Sequence, residues 1–583
     1  MSAPELDGAR LAVLAARVEG IATMMGNTIE SAPAAPGVLN RARDFSCCIL
    51  TGSCELLVMA ESLPVHVMGA DLLVRSIPQL QGRACAPATR SCTTRPYHGN
   101  SHAADHVIVV PVFDEAERIR YWMYCKAHQA DINAPSRRRT KDRARRHEEG
   151  AIFPGVRIQR DRQDIRGTSC ACAGSGSAAR AVVRRLPRDA PGRPAASARS
   201  PRSRGRSAGT RSKAFDEAWL SYSERRMRAV IAGLPESETT GVSIHDPIPG
   251  TPPEGIRIQS TVRVRPGEQR IEVDLRDNPD NLPCGLNMTE STSRAAALIG
   301  VFDSLDPSIP KNGGSARCVD VLLREGCVAG IPRHPASCSV ATTNVSDRII
   351  NATVQAFAQV AHGVGMAEFG SMFGANLAVA SGFDSRLGRA HINQVFFGAT
   401  AGAASPYTDG WLTYLHPGNG GLCHVDSVEV AEHYQPLVVW DRHLLPDSEG
   451  AGWRRGASSL EVSYGPVDDD LTVAFVCDGQ VNVPKGVRGG GNGRAAGNLL
   501  ERTDGAREEL PAVSVVTLAP GERVIAITQP GGGYGPPAER EPERVAEDVR
   551  EGWITAERGR EVYRVALAAT GEVDAAATAA LRR

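Results

Sequence analysis

The sequence carries no surplus of charge: across 583 residues, 66 lysines and arginines meet 66 aspartates and glutamates. A chain so balanced has no net field to favour nucleic acid, an anionic membrane or an acidic substrate. Long apolar runs are missing too. None approaches the roughly 18 residues that a membrane-spanning helix requires, so no membrane segment is expected. The N-terminus lacks a basic stretch followed by an apolar core and a small-residue cleavage site, and the 14 cysteines follow no regular spacing. These absences predict a reducing, cytoplasmic setting without a disulfide framework. No fixed-period repeat is present, which argues against solenoids and propellers. Nor is there a Gly-x-x-x-x-Gly-Lys-Ser/Thr phosphate cradle. The glycine-dense "RGGGNGRAAGN" and "PGGGYG" follow no clear strand and open no clear helix, so both read as turns.

What is present is enough chain for two to four domains and a sizeable core. Leu11, Leu14, Val18 and Ile21 recur at helical spacing over residues 8–28. "DFSCCIL" and "ELLVM" flank "TGS" as a strand pair, and "DHVIVVPVF" and "RIRYWMYCKAH" flank residues 114–117 as a hairpin. A helix is expected over 215–234, strands over 256–275, many short strands over 435–527 and a polar helical tail after "PGGGYGPP". The fold class expected is mixed α/β (α+β) and multidomain. Its parts are a metal-site domain over 1–214, a mixed middle domain over 215–430 and a β-rich region with a helical tail over 431–583.

Residues 167–213 break this pattern, with eleven basic residues against the single acid Asp189 and no aromatic. Such a stretch buries too little apolar area to offset its ordering entropy and reads as a loop or disordered segment. Residues 83–96 and 132–146 look similar. A nucleic-acid arm is the rival reading, and the lack of aromatics for base stacking argues against it.

The hairpin carries the chemistry. With residues 114–117 as its turn, facing residues have numbers summing to about 231, so Asp105 lies opposite Lys126 and Ala103 opposite His128. The open end then gathers His102, Asp105 and His128. Two imidazoles and a carboxylate suit zinc, manganese or iron. Histidines at strand ends are also commonly solvent-exposed or satisfied by backbone, and spacing alone leaves both readings open. His106 projects to the face opposite Asp105 once strand geometry begins, and Asp131 either orients an imidazole or caps a turn.

"RDFSCCILTGSCELLVMAESLPVHVMG", "PYHGNSHAADHVIVVPVFDE", "AHQADI", "EEGAIFPGVRIQRDRQDI", "SYSERRM", "PDSEGAGWRRG" and "QPGGGYGPP" together resemble the hydantoinase B family, in register over nearly the whole chain. That family comprises the B subunits of ATP-dependent hydantoinases and lactamases, the C-terminal half of 5-oxoprolinase and the related large subunits of ketone carboxylases. The resemblance implies a divalent metal site built from Asp44, His102, Asp105 and His128. It also marks His66, Glu148 and Glu149, which stand in family motifs, as candidates for orienting a ligand or moving a proton. It implies, further, a small cyclic-amide substrate and a hetero-oligomer with a hydantoinase A-type subunit that binds ATP, with the present chain inactive alone. A ketone carboxylase subunit and an inactive scaffold or basic binding protein are the alternatives.

Three windows, about 83–96, 133–146 and 167–213, depart from the family. Their richness in Arg, Ala, Gly, Pro and Ser, residues with G+C-rich codons, points to out-of-frame translation of a G+C-rich gene.

Overall fold

A computed structural model describes residues 7–31, 39, 42–60, 63–81, 85–86, 89–129, 151–161, 163–165, 203–371, 374–398, 402–412, 414–420 and 424–583, with 203–212 as backbone only. Glu148, Glu149 and Asp131 lie outside the described residues, as do the window 133–146 and most of 167–213. The chain forms two compact units: one of Met1–Glu236, Arg263–Phe302 and Asp306–Thr342, the other of Ser237–Val262, Asp303–Leu305 and Thr343–Arg583. The fold is mixed α/β, with several sheets and helices.

The first unit is built on a seven-stranded sheet. Its strands are β1 (Phe45–Thr51), β2 (Leu56–Met59), β3 (Arg90–Thr93), β4 (Asp105–Phe113), β5 (Ile119–His128), β6 (Val156–Arg160) and β7 (Gln163–Asp164), in spatial order β2-β1-β5-β4-β3-β6-β7. Every pairing is antiparallel. Strand β3 falls in a window whose composition suggested a loop. The correction has a physical cause: Ser91, Cys92 and Thr93 pair with Val109, Ile108 and Val107, and their side chains are buried, so sheet pairing outweighs a weak local signal.

Alternation along the strands makes two faces. One carries Phe45, Cys47, Ile49, Ile108, Cys125 and Ala127, and packs beneath α1 (Gly8–Glu30), which buries Leu11, Ala15, Ala22, Met25 and Ile29. The other carries Cys48, Leu50, Val107, Val109, Trp122 and Tyr124 and is covered by α2 (Pro64–Val67) and α3 (Ala70–Gln81) through Val67, Ala70, Leu73, Val74 and Ile77. Helix α4 (Ser203–Ala232) begins twelve residues before the 215 expected from periodicity.

In the second unit, strands Val379–Asp384, Arg389–Gln394, Leu471–Val476 and Val513–Leu518 form one antiparallel sheet. Leu437–Leu444, Leu460–Pro466, Gly497–Glu501, Arg507–Glu509 and Arg523–Ile527 form a second. Val462, Tyr464, Val473, Phe475 and Val524 meet in a common core. The "PGGGYG" tract is backbone packed on backbone. A Cβ at Gly531 would lie 1.9 Å from the Gly402 carbonyl oxygen. The tail folds into helices Pro542–Arg550, Ala556–Glu561 and Ala575–Leu581. Among the described residues, no helix is long and apolar enough to cross a membrane.

Candidate metal centre

The β4–β5 hairpin has a register two residues away from the one its turn suggests. Asp105 faces His128, Val107 faces Lys126, and the pairing shifts only between Val112 and Phe113. The turn explains the offset. Asp114 Oδ1 accepts the backbone N–H groups of Ala116 and Arg118, Glu117 takes a left-handed φ of 56°, and Phe113 pairs with Ile119, leaving Arg120 as an extra residue. The Asp114 N–H donates to the Arg118 carbonyl, so the turn closes one residue later than the spacing suggests, and the bulge at Arg120 adds a second. Together they carry His128 directly opposite Asp105 rather than two positions away.

On β1, Ser46 pairs with Lys126, and the Asp44 carbonyl accepts the His128 N–H at 3.1 Å. Asp44, Ser46, Asp105, Lys126 and His128 therefore share the sheet face that α2 covers. His106 lies on the other face, buried edge-on to Phe153 with ring centroids 6.0 Å apart. His66 enters from α2, and its Nδ1 lies 3.1 Å from Ser46 Oγ, which accepts the Leu63 N–H.

Asp105 is the hub. Its Oδ1 lies 3.0 Å from His128 Nδ1 and 3.2 Å from His102 Nε2, and its Oδ2 lies 3.4 Å from His66 Nε2. His66 Nε2 is also 3.9 Å from Asp44 Oδ1. The loop before β4 is pinned by Asn100, whose Nδ2 donates to the carbonyls of His102 and Asp105, each at 2.8 Å. The rings of His102 and His128 are 5.0 Å apart. One donor atom from each of His102, Asp105 and His128 falls within 4.8 Å of the other two, and all three residues are buried.

Asp44 lies beside the trio: His66 Nε2 is within 3.9 Å of Asp44 Oδ1 and 3.4 Å of Asp105 Oδ2, and the Asp44 carbonyl accepts the His128 N–H. The structure thus brings together five residues singled out in the sequence: three in one cluster, His66 against it and Asp44 beside His66. Among the described residues, Asp441, His443 and Glu461 make a second such grouping, exposed at a pair of strands.

Electrostatics sharpen the picture. Burial would raise the Asp105 carboxyl, but the imidazoles of His102 and His66 and hydrogen bonds from His102 and His128 outweigh it and hold the group well below the ordinary carboxylate range. Burial pushes the His66 imidazole down to about 3 against the pull of Asp105, so it is neutral at neutral pH. Lys126 is fully buried, and burial draws its ammonium down to about 8 while Asp105 opposes the drop. Its Nζ donates to Ser101 Oγ at 2.9 Å, and Ser101 donates to Asp105 Oδ2.

Ser101, Ser46 and Asn100 were missed by the sequence reading, which placed Lys126 opposite Asp105 but gave it no role. The signal for Lys126 was its place two residues before His128 on one strand, which puts both on one face.

The donor set fits a divalent ion: two imidazoles and a carboxylate that stays charged while buried, with a second carboxylate nearby. His102, Asp105 and His128 are the residues that would hold it.

The caprolactamase subunit beta of Pseudomonas jessenii is 26% identical to this chain over 608 residues, covering 99% of each. The crystal structure of the ATP-dependent caprolactamase from Pseudomonas jessenii superposes with a TM-score of 0.82 at 23% identity, covering 99% of both chains. A nucleotide-free structure of acetone carboxylase gives 0.80 at 15% identity, covering 98% of this chain and 82% of that one. These two structural likenesses are likenesses of fold. The family model for hydantoinase B/oxoprolinase matches residues 7–537, and the chain belongs to that family.

Proposed function

We propose that this chain is the metal-bearing B-type subunit of an ATP-dependent cyclic-amide hydrolase, opening a hydantoin, oxoproline or lactam ring together with an ATP-binding A-type subunit. The observation that carries the reading is one buried carboxylate, Asp105, with His102 and His128 at hydrogen-bond distance from a single oxygen. Family membership and full-length similarity to a caprolactamase subunit support it. The cytoplasm is the proposed compartment.

A ring amide resists water because its nitrogen donates into the carbonyl. Phosphorylation of the carbonyl oxygen at the expense of ATP, on the partner subunit, removes that donation. When bound, a divalent ion supplies Lewis acidity, the chemistry that brings the pKa of water from ~15.7 to about 7. His102, Asp105 and His128 hold and orient the ion, with Asp44 as a proposed fourth ligand. His66, neutral and with Nε2 within reach of two carboxylates, is placed to take the proton released by the attacking water and hand it to the leaving nitrogen. Zinc, manganese and iron all suit these ligands.

Likeness of fold to acetone carboxylase favours one second reading, a ketone carboxylase subunit using the same residues. The purified two-subunit complex, assayed for ATP turnover with hydantoins, lactams and ketones, with and without bicarbonate, separates the two. Ring opening without bicarbonate is expected. Turnover confined to ketones plus bicarbonate would assign the carboxylase instead, and the absence of stoichiometric metal after native purification would leave an inactive scaffold.

A further inference from the structure

The two oxygens of Asp105 keep different company. Oδ1 faces His128 Nδ1 at 3.0 Å and His102 Nε2 at 3.2 Å. Oδ2 accepts a hydrogen bond from Ser101 Oγ, which in turn accepts one from the Lys126 ammonium at 2.9 Å. Lys126 and Asp105 are both fully buried, and Ser101 is 1% exposed. Lys126 is anchored on β5 between Val107 and Ser46 of the neighbouring strands.

We propose that Lys126, acting through Ser101, is a positioning residue that ties down Oδ2 of Asp105 and so presents Oδ1 alone to a divalent ion between His102 and His128. The inference rests on the metal reading above and deepens it. A free carboxylate turns about its Cβ–Cγ bond and offers either oxygen or both. A charge-assisted chain from an ammonium through a hydroxyl fixes which one is offered.

The sign of the effect is informative. A buried cation this near repels a divalent ion, so its charge by itself weakens binding. The orienting role acts the other way. Removing Lys126 therefore separates the two, since electrostatics alone predicts tighter metal binding and positioning predicts looser binding. Removing Ser101, which leaves the charge in place, tests positioning by itself.

The test uses the full chain in complex with its partner, Mn²⁺ and Zn²⁺ affinities from chelator competition, and the visible spectrum of the Co²⁺ form. Ser101→Ala, which keeps the lysine, is expected to weaken metal binding roughly 10- to 100-fold, the usual effect of losing a group that orients a ligand. It should also alter the Co²⁺ spectrum. Ser101→Thr, which keeps the hydroxyl, should restore both. Lys126→Met should follow Ser101→Ala, and if it fails to fold, the two serine variants decide. Unchanged or tighter binding in Ser101→Ala, beside a wild-type chain that takes up the ion, overturns the role of Lys126 and leaves the metal reading standing. A wild-type chain that takes up none of the three ions overturns both.

Discussion

Asp105 and His128 stand directly opposite each other across the β4–β5 ladder, the carboxylate oxygen 3.0 Å from the ring nitrogen. Asp105→Ala removes the one acceptor shared by His102 and His128. Loss of both bound metal and ATP-coupled turnover is expected, by at least ~100-fold in each. Elemental analysis beside the assay checks it, and an active, metal-replete variant would remove Asp105 from the site.

Asp548 joins two buried arginines in the second unit. Arg455 Nε donates to one of its oxygens at 3.1 Å and Arg540 Nε to the other at 3.0 Å, with all three side chains at most 3% exposed. Asp548→Ala strands the buried Arg455 and leaves Arg540 with Asp409 alone, so a loss of roughly 3–5 kcal/mol is expected in denaturant unfolding.

Hydrogen bonds from Arg276 hold the Asp274 carboxyl at about 2, below its ordinary 3.8. The folded chain here binds fewer protons than the unfolded one as acid is added. The stability contributed by charged Asp274 is therefore fully present above pH ~4 and lost as pH falls towards 2. Unfolding curves at pH 5 and pH 2.5 should show the variant Asp274→Asn less stable than wild type at the higher pH, with the gap clearly narrowed at the lower.

Gly531→Ala drives a methyl group to 1.9 Å from the Gly402 carbonyl oxygen, and a backbone atom has no rotamer to escape into. A destabilisation of at least ~1–3 kcal/mol is expected. Gly267→Ala, where nothing lies within 4 Å, serves as the neutral control in the same thermal melt.

The windows 83–96, 133–146 and 167–213 lead to a prediction about the gene. Translating the other two frames should restore family-like sequence in each window. Frames that contain stop codons or unrelated sequence there would refute the frameshift.

Much was legible in the chain because it is written locally. The 3.6-residue recurrence of Leu11, Leu14, Val18 and Ile21 marked α1, and the apolar runs on either side of residues 114–117 marked the hairpin, since helical and strand periods are local properties. Motif order alone carried the family. Composition failed at β3, where pairing partners distant in sequence decide the outcome.

The sequence by itself determined which residue types were available for metal chemistry and that a hairpin would carry several of them. Only the tertiary structure decided the register. A turn one residue longer, with a bulge beside it, moved His128 onto Asp105, and α2 delivered His66 from a separate segment to within reach of two carboxylates. The role of Lys126 likewise emerged only when Ser101 was folded against it. The reason is physical: spacing along the chain fixes which face a side chain takes, while contact between segments depends on turn geometry and packing, which distant residues set.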